Sequence, residues 1–249
     1  MALALSSAAL ADVSISSKPT QNMSCEAGVC TATAKKAVLN VGDLQTTLAS
    51  GDVAVKTGTL AKDIEIVQPL TWATTSHLTL DAQQSVMVKK PVTVTGSGAL
   101  TIAYKDGGAA GDLFFVNKGR IDFSDLNSSL VINGTAYALA PSIKTLAAAI
   151  AANGAGSYAL AKDYDATNDG TYTASPIGAT LSGTLEGLGH TIRKLTIAAQ
   201  DAVNTGLLAT IGSTGVVRDL ALQSVRISSV SNKEADFPSS AALAGETTV

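Results

Sequence analysis

Along its length the chain alternates short runs of β-branched and aliphatic residues with clusters of Gly, Asn, Asp and Ser. From about Val38 onward such runs fall at 53–55, 64–67, 78–80, 86–88, 92–94, 100–102, 113–116, 121–123 and 130–132. Within several of them apolar and polar positions alternate, as in Leu78-Thr79-Leu80 and Ile121-Asp122-Phe123, the period-two pattern of a strand with one buried face. Between neighbouring runs only Asn133-Gly134 fits a two-residue hairpin loop, so the pattern argues against an antiparallel sandwich or barrel. Regular short strands with small-residue corners fit stacked coils instead. The expected fold class is all-β, a right-handed parallel β-helix (β-solenoid) with one short inserted helix.

Two stretches break the strand pattern. Asp43-Leu44-Gln45-Thr46-Thr47-Leu48 reads as a short helix with Asp43 as N-cap and Gly51 ending it. After Pro141, Ser142 caps a clearer helix over 142–152, in which Ile143, Leu146, Ala147 and Ile150 fall at helical spacing and Asn153-Gly154 stops it. That apolar stripe is read as packing against the strands. The resulting division is a tail at 1–11, an N-terminal β region at 12–140, the helix with further coils at 141–230, and the start of another repeat at 231–249, where Ser240 to Glu246 resemble the opening of a next coil.

The composition narrows the function classes. The 249 residues are 46% hydrophobic and 15% charged, with 17 basic against 20 acidic side chains and a net charge of −3. That balance lacks the basic excess of a nucleic-acid binder. No apolar run approaches the ~18 residues of a transmembrane helix, and the apolar content is too high for disorder. With only 4% aromatic residues, the core has to be built from Val, Ile, Leu and Ala.

Residues 1–11 form an apolar run ending in Ala9-Leu10-Ala11, a small-x-small pattern without a preceding Lys or Arg. This reads as a truncated signal peptide or an Ala/Ser-rich tail. Cys25 and Cys30 are the two cysteines of the chain, with Gly28 between them. In an exported protein a local disulfide is their expected state.

From Gly156 the sequence becomes specific. Tyr158-Ala159-Leu160 precedes Asp163-Tyr164-Asp165, then come Pro176-Ile177-Gly178 and Leu181-Ser182-Gly183-Thr184-Leu185-Glu186-Gly187-Leu188-Gly189-His190-Thr191-Ile192. Gly206-Leu207-Leu208 and Val217-Arg218-Asp219-Leu220 follow. Over about 142–227 this order resembles the GLUG-type repeat of large bacterial surface and secreted β-helix proteins. Leu181, Leu185 and Leu208 stand where that family has aromatic residues. The earlier half, in Val41 to Val55 and Leu78 to Ala82, more loosely resembles the N-terminal region of filamentous-haemagglutinin-like adhesins. The Asn-Pro-Asn-Gly and Asn-Pro-Asn-Leu motifs of two-partner secretion domains are not in the sequence.

The resemblance implies that Asp163, Asp165, Gly183, Gly187, Gly189 and His190 are turn residues of the repeat. The glycines supply φ > 0 corners or close backbone approach, the aspartates cap turns, and His190 is a corner residue bonded to backbone. Ile192, Leu195 and Ile197, then Val217 and Leu220, then Leu222, Val225 and Ile227 are candidates to stack from one coil to the next.

Chemical motifs are few. Asp163, Asp165 and Asp169-Gly170 invite a calcium reading, yet the twelfth position of an EF-hand loop would fall on Ala174 or Pro176 rather than Glu. His190 has Glu186 as its one nearby acid in sequence, and His77 reads as a surface residue. No nucleophile elbow, phosphate loop, dinucleotide fingerprint or zinc-protease motif occurs. The expectation is a non-enzymatic, secreted or cell-surface adhesin-like passenger without cofactor or metal, meeting a host or cell-surface glycan or protein and exported with an outer-membrane secretion partner. The rival is a polysaccharide-cleaving β-helix lyase or hydrolase, which should gather Asp, Arg or Lys on one sheet face over neighbouring coils.

Overall fold

The computed structural model describes residues 12–105, 108, 110–200, 204–230, 239–240 and 243–247. The tail at 1–11 and most of the further repeat at 231–249 lie outside the described residues. The chain folds as two units, one of Met1–Thr93, Gly98–Gly119 and Ile132–Gly134, the other of Val94–Ser97, Arg120–Val131 and Thr135–Val249. Ile121 and Phe123 donate their N–H groups to the carbonyls of Leu188 and Ala161, which ties strand Ile121–Phe123 to the C-terminal unit.

In the first unit, strands far apart in sequence lie parallel in strict register. Val29–Ala32, Val53–Lys56, His77–Asp81 and Ala99–Ala103 follow one another in one sheet, so Cys30, Val55, Leu80 and Ile102 share one inward row. Val53, Leu78 and Leu100 form a second. All seven are buried, because the period-two pattern sends alternate residues to the same face on every strand. The other sheet stacks Ile64, Val86 and Leu113, and beside them Ile66 and Val88. Strand Asp12–Ser16 lies parallel to both Lys36–Asn40 and Asp63–Ile66, adding Val13 and Ile15 to the same core. Parallel pairing needs crossover connections rather than tight hairpins, as the scarcity of hairpin signals implied. Burying an aliphatic side chain this way contributes ~1.5–3 kcal/mol.

One hairpin is present that the strand pattern did not reveal. Met23–Glu26 and Val29–Ala32 pair antiparallel through a turn in which Ala27 and Gly28 have φ of 47° and 80°. Cys25 and Cys30 are directly opposite in this ladder and are joined by a disulfide. Helix α1 spans Val41–Leu48. Its N-cap is Asn40, not Asp43: the Asn40 side chain accepts hydrogen bonds from the Gly42 and Asp43 N–H groups. Asp43 sits instead in the first turn, where its carboxylate complements the helix dipole and accepts from the Thr20 hydroxyl at 2.6 Å. The helix ends at Ala49 rather than at Gly51.

In the second unit α2 spans Ile143–Ala152, and the Ser142 hydroxyl accepts from the Thr145 N–H. Ile143, Leu146 and Ile150 are fully buried. The Tyr158 hydroxyl donates to the Ala149 and Asn153 carbonyls, tying the end of α2 to strand Ser157–Leu160.

Beyond α2 the chain visits its sheets in a fixed order. Ser157–Leu160, Thr184–Glu186 and Val216–Arg218 are parallel neighbours in one sheet. Tyr164–Asp165, Thr191–Arg193 and Ala221–Gln223 follow in a second. Thr171–Tyr172, Thr196–Gln200 and Arg226–Val230 make a third, and Asn204–Thr205 and Leu208–Ile211 pair parallel with Ser239–Ser240 and Ala244–Thr247. Ile192 stacks on Leu222 and Ile197 on Ile227, all four of them among the residues expected to stack from coil to coil. Leu181, Leu185 and Leu208 are completely buried.

Candidate functional site

The corners of the second unit hold most of the singled-out residues, and of the polar ones they bring Asp163 and His190 together. Leu188 and Gly189 have φ of 53° and 78°, giving a two-residue left-handed corner. Gly183 and Gly187 answer to close approach instead: a Cβ on Gly183 would collide with the Gly156 carbonyl oxygen, and one on Gly187 with the carbonyl of Asp219. Other corners use no glycine. Lys194, Asp219 and Ser224 adopt φ of 58°, 54° and 55°, and the Lys194 N–H donates to the Gln223 carbonyl. Pattern reading assigned corners to glycine and so missed these three. Their signal was position: Lys194 and Ser224 each lie just ahead of the paired strands Thr196–Gln200 and Arg226–Val230.

Next to the first corner, His190 is completely buried. Its Nε2–H donates to the Ile121 carbonyl at 2.8 Å, which directs Nδ1 toward two carboxylates, Asp163 Oδ1 at 3.4 Å and Asp122 Oδ1 at 3.9 Å. Nδ1 makes no hydrogen bond of good geometry. Burial lowers the imidazole pKa, opposed by the Ile121 carbonyl and the two carboxylates. The acids beside His190 are therefore Asp122 and Asp163, not Glu186. Asp163 also accepts from the Thr191 N–H at 2.8 Å and lies 3.6 Å from Arg193 Nη2. It thus bridges to the next strand rather than capping its own turn. Arg120 and Asp122 form an ion pair at 2.9 Å. Asp122 escaped the sequence reading because it is the one outward residue of a three-residue strand.

Asp165 does cap locally. It accepts from the Thr167 hydroxyl and N–H, which hold its carboxyl down to about 2, with Lys194 3.2 Å away. Glu186 is buried and turned to a different set of partners. It accepts from the Leu188 N–H and pairs with Arg218, each at 3.0 Å. Burial nevertheless pushes its carboxyl up to about 8, aided by Asp219 and opposed by Leu188 and Arg218.

Alongside α2 lies a cavity of about 460 Å³, lined by Ser142, Ile143, Lys144, Ala147, Tyr164, Asp169, Tyr172 and Pro176. Asp169 organises it. The Tyr164 hydroxyl donates to Asp169 Oδ1 at 2.6 Å and the Tyr172 hydroxyl to Oδ2 at 2.7 Å. Desolvation and the Asp169 carboxylate push Tyr164 up to about 12 and Tyr172 higher still, so each phenol stays a donor. Asp163, Asp165 and Asp169 thus have separate partners instead of converging on a cation. Among the described residues no group of three or more His, Cys, Asp or Glu is placed to hold a metal ion. His77 is half-buried on its strand, with Nε2 2.8 Å from the Thr101 hydroxyl, rather than lying free on the surface.

Among the described residues, no helix is long and apolar enough to cross a membrane. The chain is 26% identical over 209 residues to halomucin of Haloquadratum walsbyi. The match covers 83% of this chain and 2% of that protein, so the chain spans only a small part of its relative's length. No family model matches the sequence. No solved structure matches it.

Proposed function

We propose that the chain is a right-handed parallel β-helix of the GLUG-repeat, filamentous-haemagglutinin-like type, which acts without catalysis as an adhesin in secreted or cell-surface form. The observation that carries this reading is the fixed order in which the chain returns to each sheet, with Ile192 over Leu222 and Ile197 over Ile227. Stacks of that kind leave outward rows and corners free to vary while the inward rows hold the fold. The Cys25–Cys30 disulfide suits an oxidising, exported setting. The likeness to a protein named as a mucin supports a place outside the cell. A glycan or protein on a host or neighbouring cell is the partner, and an outer-membrane secretion partner fits the export route.

The test is attachment. Beads coated with the purified chain should adhere to glycan- or matrix-coated surfaces above a level set by beads carrying heat-denatured chain. Adhesion equal to that control removes the reading. A second reading, polysaccharide cleavage, draws on Asp122 and Asp163 lying beside His190, with Arg193 3.6 Å from Asp163. Against it stands His190, which is sealed from solvent with its donor bonded to a backbone carbonyl. New reducing or unsaturated ends released from acidic polysaccharides, and lost in Asp163→Asn, would favour the enzyme.

A further inference from the structure

We propose that the cavity beside α2 is a binding site for a neutral saccharide, with Tyr164 and Tyr172 as the stacking walls and Asp169 and Lys144 as the polar contacts. The inference rests on the attachment reading above and names its ligand class. Four observations carry it. The cavity, at about 460 Å³, falls within the roughly 300–1,000 Å³ of small-ligand sites. Two of its eight lining residues are tyrosines in a chain with 4% aromatic residues. Their hydroxyls are tied to the two oxygens of one carboxylate, which fixes the rings before any ligand arrives and lowers the ordering cost of binding. Finally, donors and acceptors are mixed: Lys144 offers an ammonium that makes no ion pair among the described residues, and Asp169 keeps lone pairs beyond those used by the tyrosines.

A pyranose matches that arrangement. Its C–H faces are apolar and stack on aromatic rings, while its hydroxyls donate and accept at the rim. An anionic ligand fits less well, because the exposed Asp169 carboxylate stands in the wall. A cation fits less well too, because Asp169 is the one carboxylate among the lining residues and a hard cation takes several oxygen ligands.

The experiment is an NMR titration of the purified chain with the methyl glycosides of glucose, galactose, mannose and N-acetylglucosamine, with methyl glucuronide as the charged comparison. At least one neutral glycoside should bind in a saturable way. Tyr172→Ala should weaken it about tenfold or more, whereas Tyr172→Phe, which keeps the ring, should weaken it only a few-fold. Lys144→Ala, on the exposed side of α2, should weaken it without altering thermal unfolding, and it takes over the test should Tyr172→Ala fail to fold. Absence of binding by every neutral glycoside, binding of the glucuronide alone, or undiminished binding in both alanine variants would overturn the site. The bead assay separates the two proposals. Attachment without glycoside binding removes the saccharide site and leaves the adhesin, and glycoside binding without attachment does the reverse.

Discussion

Two buried ionisable residues give the second unit opposite responses to pH. Glu186 is pushed from 4.5 up to about 8, so the folded state holds its proton more tightly than the unfolded chain. Its contribution is complete below pH 4.5 and is lost as pH rises through 8, a decline on the order of a few kcal/mol. Glu186→Gln should flatten that decline in urea unfolding series; an unchanged slope between pH 6.5 and 8.5 would show that the carboxylate is ionised throughout. His190 has the contrary sign. Its pKa is lowered by burial, so its contribution is complete above the unfolded value of ~6.5 and is lost as pH falls through the folded value. His190→Gln should keep the Nε2-type donor to Ile121 and remove the acid-side loss. Just below the unfolded histidine value of ~6.5 the two slopes oppose each other, and the single variants are needed to separate them. Above pH 8, where Glu186 is ionised, Arg218→Met should destabilise by less than the ~3–5 kcal/mol typical of a fully buried pair, because Arg218 is partly exposed, and the penalty should shrink at pH 5, where Glu186 is protonated.

At the scale of elements, the glycines supply a matched pair of tests. Gly183→Ala would drive a Cβ into the backbone of Gly156 and Ala155, and a backbone collision cannot be relieved by a rotamer change. A loss of ~1–3 kcal/mol is expected. Gly178 has open space around its Cβ position and no positive φ, so Gly178→Ala should be neutral or stabilising by ~0.4–1 kcal/mol. Equal thermal shifts in the two variants would contradict the close-approach assignment. Ser142→Ala should cost about 1 kcal/mol through loss of the bond to Thr145. The α2 helix was legible in the sequence because cap, apolar spacing and stop signal all agreed, and the strands because of their period of two. The residues that stack, Ile192 and Leu222 among them, were legible as candidates, whereas their pairing was not, because register depends on corner lengths. The α1 cap was not, since Asn40 and Asp43 are both good caps and the choice depends on where strand Lys36–Asn40 ends. Nor was the Tyr164–Asp169–Tyr172 contact, because two strands and a short 3-10 turn have to form before those side chains meet.

For the molecule as a whole, a parallel ladder carries an inherent hazard, because its outer strands offer unpaired N–H and C=O groups to other chains. The first unit covers its edges at the Cys25–Cys30 end. Strand Lys36–Asn40, outermost in its sheet, is bridged by Gln21, which exchanges two backbone hydrogen bonds with Val38 at 2.9 and 2.8 Å. In the neighbouring sheet the outermost strand is Met23–Glu26, which runs antiparallel to the next and carries the exposed residues Ser24, Cys25 and Glu26. The hairpin therefore converts a parallel edge, a ready template for stacking, into a short polar one. Its disulfide closes a loop too small to restrict the unfolded chain much, so Cys25→Ala with Cys30→Ala should cost at most ~2 kcal/mol. The larger effect should be on association. Once the hairpin frays, Val53–Lys56 loses its parallel partner Val29–Ala32 and becomes an open edge whose alternate residues, Val53 and Val55, belong to the core. Light scattering behind size-exclusion chromatography should then show the double variant, or the wild type under reductant, forming dimers and larger species at concentrations where the oxidised protein has a lower apparent mass. Identical elution of oxidised and reduced protein, with the hairpin amides equally protected from hydrogen exchange, would show that the cap holds without its crosslink.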